Sequence, residues 1–116
     1  MEKQQPLSNQ VDGKGERKNE GKLPVELLPA SGLIAVAKVL EQGAKKYAPR
    51  NWERGMKWMI CYACILRHLL KWLQGEKVDS ESGLSHMAHI ACNAFFLFEY
   101  EETCPELDDR PTKKGV

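Results

Sequence analysis

The chain has 116 residues, 42% hydrophobic and 28% charged, with a net charge of +1. That length holds one domain at most, and the near-neutral balance gives no broad basic footprint for nucleic acid. Arg67, His68 and Lys71 interrupt the longest apolar stretch, so no membrane-spanning helix and no membrane partner are expected.

Residues 1–21 are rich in Gln, Lys, Asn and Gly and nearly free of apolar side chains. They cannot repay the entropy of ordering and are expected to form a flexible arm. No apolar run opens the chain, so no secretory leader is expected. Cys61, Cys64, Cys92 and Cys104 are read as thiols of a reducing cytoplasm. Cys61 and Cys64 spell C-x-x-C inside an apolar helix, where small core residues are the favoured reading. Residues 22–104 remain for a helical domain, and 105–116 are expected as a flexible tail. A core of ~80 residues is marginal alone, so self-association into a homodimer or higher oligomer is expected.

The spacing predicts a first helix over Ser31–Lys46, with Ser31 as N-cap and Pro49 barring any continuation. Leu33, Val36, Ala37, Leu40 and Ala44 form its apolar stripe. A loop from Tyr47 to Gly55 follows, holding Arg50, Asn51, Trp52 and Arg54. A loop with Tyr47 and Trp52 is packed down or lines a site. The second predicted helix runs from Met56 to Gln74, stopped by Gly75. Its broad apolar face is Tyr62, Ile65, Leu66, Leu69, Trp72 and Leu73; Arg67 and Lys71 lie opposite, and His68 sits at the boundary. A short link carries Glu76, Asp79 and Glu81. Asp79, Ser80 or Ser82 is expected to cap a third helix that reaches about Glu102. Short links make neighbouring helices antiparallel. The expected fold is therefore all-α, a compact antiparallel bundle of three main helices completed by oligomerisation.

All three histidines fall in the second half of this pattern. His86, His89 and Asn93 stand at i, i+3 and i+7 on one stripe of the third helix. The rest of that helix is apolar nearly all round, which predicts burial. Buried polar groups need partners, because an unpaired one costs about 1–3 kcal/mol. The turn between helices two and three brings His68 and Arg67 toward His86 and His89, beside Glu76, Asp79 and Glu81. Imidazoles with carboxylates suit a divalent ion such as Mg²⁺, Mn²⁺ or Zn²⁺. Arg67 and Lys71, on adjacent turns, suit phosphate. A purely structural role is the competing reading, with the acids capping a helix and the histidines bonded to one another and to backbone.

Several blocks in order carry a resemblance. They are Asn19-Glu-Gly-Lys22, Leu27-Leu28-Pro29, Gly43-Ala-Lys-Lys-Tyr47, Arg50-Asn51-Trp52-Glu-Arg-Gly55, Arg67-His68-Leu69, Gly75-Glu76, Asp79 through Leu84, His86, His89 and Asn93. Over Asn19–Tyr100 the chain resembles the N-terminal domain of phage dATP/dGTP diphosphohydrolases, which are distantly similar to all-α, MazG-like nucleotide pyrophosphatases. The resemblance implies a purine nucleotide ligand, release of pyrophosphate from dATP or dGTP, and a location in the host cytoplasm. On the enzyme reading, the residues themselves suggest a metal on His86 and His89 with Asp79, Glu81 and, as a further candidate ligand, His68; Asp79, Glu81 and His68 are the candidate catalytic groups. Arg67, Lys71 and Lys46 would neutralise phosphates. Asn93 would orient a ligand or a histidine, and Asn51, Trp52 and Tyr47 would contact the nucleotide. The wider group holds Mg²⁺ with E-x-x-E on one helix and E-x-x-D on the next. Here Arg67, His68 and Lys71, then His86 and His89, stand in those places. The departure leaves two functional readings: hydrolysis with a different metal set, or binding without cleavage, as in sequestering a nucleotide signal of host defence or in a regulatory module.

Overall fold

A computed structural model of the protein describes residues 10–113. Three α-helices, α1 (Ala30–Lys46), α2 (Trp58–Leu73) and α3 (His86–Thr103), build the domain. Short 3₁₀ turns lie at Val25–Leu27, Asn51–Arg54, Pro105–Leu107 and Pro111–Lys113. Among the described residues there is no strand, only an isolated bridge between Val78 and Ser85. No helix of these residues is long and apolar enough to cross a membrane. The first nine residues of the expected arm lie outside the described residues, and every residue from 10 to 34 is exposed.

Helix α1 starts one residue before the expected N-cap. Pro29 takes the cap position in extended conformation, and its carbonyl accepts from the N–H of Leu33 at 3.1 Å. Lys45 and Lys46 occupy its last turn, where the helix dipole favours cations. Gly55, at φ 85°, then admits the chain to α2. The conformation favours glycine, and a Cβ there would also crowd the Leu107 side chain at 3.1 Å and the Cys104 sulfur at 3.2 Å.

Helices α2 and α3 form an antiparallel pair, and α1 packs on α3. The core lies where α2 begins and α3 ends. Trp58, Cys61 and Tyr100 are buried there, with Trp52, Met56, Phe96, Leu97, Cys104 and Leu107 packed against them. Trp52 stacks on Phe96 at 5.2 Å between centroids, and the Tyr100 hydroxyl donates to the Trp52 carbonyl. Cys104 and, from the tail expected at 105–116, Leu107, Asp109 and Arg110 take part in this end. The Trp58 indole donates to the Cys104 carbonyl at 3.2 Å, Asp109 accepts from the Met59 N–H at 2.9 Å, and Arg110 lies over the Trp58 ring. Asp109 thus satisfies one of the free N–H groups at the start of α2, whose own cap residue, Lys57, offers no side-chain bond.

The opposite end is a tight link. Gly75, at φ 101°, closes α2, and the N–H of Glu76 reaches back to the carbonyl of Lys71 at 3.0 Å. Asp79 then organises a loop: its N–H donates to Leu84, its carbonyl accepts from Gly83, and its carboxylate accepts from the Ser82 N–H at 2.8 Å. The N-cap of α3 is Ser85, whose hydroxyl accepts from the N–H groups of Met87 and Ala88. The caps expected at 79–82 instead close the loop upstream, because Asp79 bonds to Ser82 rather than to helix N–H groups.

Helix α3 is buried on one side only, contrary to its nearly continuous apolar sequence. Phe95 and Phe98 are more than half exposed. Helix α2 likewise leaves Tyr62, Leu66, Leu69, Leu70 and Leu73 open to solvent. Three helices have too few neighbours to cover those faces.

Candidate functional site

The link end of the α2–α3 pair holds all three imidazoles. His68 projects from α2; His86 and His89 project from α3, one turn apart. The His68 and His89 rings stack, with centroids 4.4 Å apart and planes 5° from parallel. His68 meets His86 differently, Nδ1 to Nδ1 at 2.9 Å. His86 is fully buried, and its Nε2 lies 2.8 Å from a Glu76 carboxylate oxygen. The carboxylate only accepts, so His86 carries its proton on Nε2 and presents a lone pair at Nδ1. His89 Nε2 bonds the Ser82 hydroxyl at 2.7 Å.

Burial and the neighbouring imidazoles set the charges. Burial pushes the His68 pKa down, His89 and His86 add to this, and Asp79 opposes it. His89 is likewise held low, by burial first, with Asp79 opposing. For Asp79, burial acts upward, but hydrogen bonds from Ser82 and the nearby His68 and His89 outweigh it, leaving the carboxyl below its usual range. Near neutral pH Asp79 is thus an ionised carboxylate beside the neutral imidazoles of His68 and His89, protonation states that suit metal ligands.

A cleft of about 820 Å³ opens in front of these groups. Its floor is His68, His89, Asp79 and Ser82. Helix α1 supplies the facing wall through Val39, Gln42, Gly43, Lys45 and Lys46, with Tyr47 at its end. Gln42 ties this wall to the link by donating to the Ser82 carbonyl at 2.9 Å. Arg67 and Lys71 add two more cations from α2, and Glu81 a second carboxylate. Four cations around one polar floor give the cleft a positive rim, of the charge that suits a polyanion.

The family model described as "dATP/dGTP diphosphohydrolase, N-terminal" matches residues 12–110. The chain belongs to this family. It is 34% identical over 98 residues to the dATP/dGTP diphosphohydrolase of Salmonella phage PMBT28, a match covering 84% of this chain and 33% of that relative. The chain thus spans about a third of the relative's length. No solved structure matches significantly.

In this family member, the structure gathers Lys46, Tyr47, Arg67, His68, Lys71, Asp79, Glu81 and His89 around the cleft. His86 stands behind His68, buried, and does not line the cleft. Asn93 also lies behind the floor. Its amide donates to the His89 backbone carbonyl at 2.9 Å and to the Cys64 sulfur at 3.4 Å, the second bond tying α3 to α2. Asn51 and Trp52, expected at the nucleotide, are not brought to the cleft. They lie in the 3₁₀ turn at the aromatic end, where Trp52 gains more from stacking on Phe96 than from an open edge.

Sequence reasoning missed Lys45, Gln42 and Ser82. Lys45 and Lys46 both sit in the last turn of α1, a signal that was present in the sequence. Gln42 and Ser82 gave none, because their meeting depends on how α1 docks.

Proposed function

We propose that the cleft binds a purine deoxynucleoside triphosphate and that the protein, with a divalent ion, hydrolyses it to the monophosphate and pyrophosphate. The observation that carries this reading is the meeting of Lys45, Lys46, Arg67 and Lys71 with Asp79, His68 and His89 in one cleft. The cations neutralise the phosphate chain and hold it in line. Tyr47, two-thirds exposed at the end of α1, is free to stack on the base. The imidazoles and carboxylates of the floor are a donor set that fits a divalent ion. When bound, such an ion neutralises phosphate oxygens and lowers the pKa of a water. The phage relative is a dATP/dGTP diphosphohydrolase, which supports the substrate class.

One feature favours binding alone: by the resemblance to MazG-like enzymes, Arg67, His68 and Lys71, then His86 and His89, stand where acids are expected. The test is incubation of the purified protein with each dNTP and Mg²⁺, Mn²⁺ or Zn²⁺, with chromatographic separation of products. Conversion of dATP or dGTP to monophosphate and pyrophosphate is expected. Tight purine nucleotide binding without turnover under every metal would overturn the hydrolase and leave a sequestering or regulatory protein.

The partner inferred for the domain itself is a second copy. Tyr62, Leu66, Leu69 and Leu73 follow a 4-3-4 spacing on the exposed side of α2, the seam by which helices pack knobs into holes. The four residues carry no charge, and a two-fold axis would bring the same seam of each copy together. Light scattering is expected to show twice the 13.2 kDa chain mass, and Leu69→Lys to return it to one. A wild-type monomer at micromolar concentration would overturn the inference.

A further inference from the structure

The proposed function leaves open where an ion sits and which ion it is. We propose that His68, His86 and Asp79 form a seat for a zinc-class transition-metal ion, with the Glu76 carboxylate fixing His86 from behind. This rests on the same cleft but not on turnover. It also differs from the ligand set expected from the sequence, which was built on His86 and His89: here His89 and Glu81 are left out, and His68, a further candidate there, is a ligand.

Four observations support the seat. One ligand atom from each of His68, Asp79 and His86 lies within 4.8 Å of the other two. The facing nitrogens of His68 and His86 are 2.9 Å apart. Two imidazole nitrogens on one tetrahedral zinc ion stand about 3.3 Å apart, given bonds of about 2.0–2.1 Å, so this pair needs a shift of only a few tenths of an ångström, and the Asp79 carboxylate closes on the ion from within 4.8 Å. The remaining nitrogen of His86 is held by Glu76 at 2.8 Å, the carboxylate–histidine arrangement that fixes the tautomer of a metal ligand. Finally, Asp79 is oriented by the Ser82 N–H at 2.8 Å.

The neighbours are otherwise committed. His89 spends Nε2 on the Ser82 hydroxyl and stacks on His68, so it braces a ligand ring. His68 and Asp79 line the cleft while His86 lies behind them. An ion held by the three would therefore face the cleft, with positions left for water or a phosphate oxygen. Two imidazoles and one carboxylate suit zinc, cobalt or ferrous ions, whereas Mg²⁺ prefers oxygen donors in an octahedral shell. The same distances also suit an ion-free relay, with His68 donating to His86 and His86 to Glu76.

Titration of chelator-treated full-length protein with Co²⁺, followed by visible absorption, separates the two. One equivalent giving the intense bands of a low-symmetry cobalt site is expected, displaced by Zn²⁺ but not by excess Mg²⁺. His68→Ala and Asp79→Asn should weaken Co²⁺ binding at least about 100-fold, and Glu76→Gln about 10–100-fold. His89→Ala should keep one equivalent. Circular dichroism monitors folding, and because Asp79 and His86 are buried, His68→Ala and Glu76→Gln carry the result if the others unfold. Wild-type protein that shows no cobalt bands, or equal binding by folded His68→Ala, would overturn the seat and favour the relay. The readings fail separately. Cobalt binding with no affinity for any purine nucleotide would sink the nucleotide reading alone. Nucleotide turnover with Mg²⁺ in protein that cannot bind Co²⁺ would sink the seat alone.

Discussion

The two ends of the α2–α3 pair solve the same packing problem by opposite means. At one end Trp58, Cys61 and Tyr100 fill space with apolar surface, and Trp52, Phe96 and Leu107 close around them. At the other, His86 and Asp79 are buried with polar side chains, and among the described residues no buried side-chain polar atom lacks a partner. Apolar packing is non-directional and tolerates small shifts. The polar end is directional, because each hydrogen bond fixes an angle as well as a distance. The first end therefore holds the domain together, and the second holds atoms in position at the cleft.

The sharpest way to break this contrast is to remove one large side chain from each end. Tyr100→Ala should cost about 3–5 kcal/mol, a large share of what so small a core supplies. Urea unfolding should show a strongly lowered midpoint or no folded baseline. His89→Ala, at the polar end, should cost about 1–2 kcal/mol while weakening purine nucleotide binding at least tenfold. If the two variants lose equal stability, the division of labour is wrong.

A smaller effect sharpens the polar end. Arg67 and Lys71 are exposed and line the cleft. Replacing either with Ala should leave the melting temperature unchanged within a degree or two. Triphosphate affinity should fall about tenfold, or ~1.4 kcal/mol, with a shallower salt dependence. Calorimetric titration of dATP at two ionic strengths measures both. Unchanged affinity in Arg67→Ala would place the phosphates elsewhere.

The smallest effect concerns the apolar side of the pair. Burial, and then the neighbouring thiols, push Cys61 and Cys92 up to about 11 from an ordinary 9.0. These folded values lie above the unfolded ones, so the neutral thiols contribute stability that is complete below pH 9 and is lost as pH rises through 11. At pH 8 roughly one thiol in a thousand is ionised at each position. A thiol reagent at that pH should label the half-buried Cys64 and Cys104 first, and Cys61 and Cys92 only on unfolding. Labelling of all four at equal rates in the folded protein would contradict the tight packing of this end. It would also return C-x-x-C to consideration as a redox pair.

Much of the architecture was legible in the residues because helical periodicity is local. The helical periodicity of α1 and α2, Gly75 as a stop and Pro49 as a barrier all act within a few residues of themselves, and the observed helices agree with the expected ones within one or two residues at most ends, although the expected apolar face of α2 stands largely open to solvent. The gathering of His68 with His86 and His89 was legible too, since a short link forces antiparallel neighbours. Less legible was α3. Its sequence reads as wrapped on all sides, yet Phe95 and Phe98 are open to solvent, because apolarity records what a surface prefers and not whether a partner is present.

The sequence by itself determined the all-α class, the order of the helices, the family and the residue types at the site. Only the tertiary structure decided which of those residues meet. Trp52 goes to Phe96 and leaves the cleft, Asn93 goes behind His89, Lys45 comes to the cleft with α1, and Glu76 pairs with His86. Each of these depends on how rigid helices dock and on which buried polar atoms must find a partner. That condition is set by three-dimensional proximity, so sequence spacing along one helix does not record it.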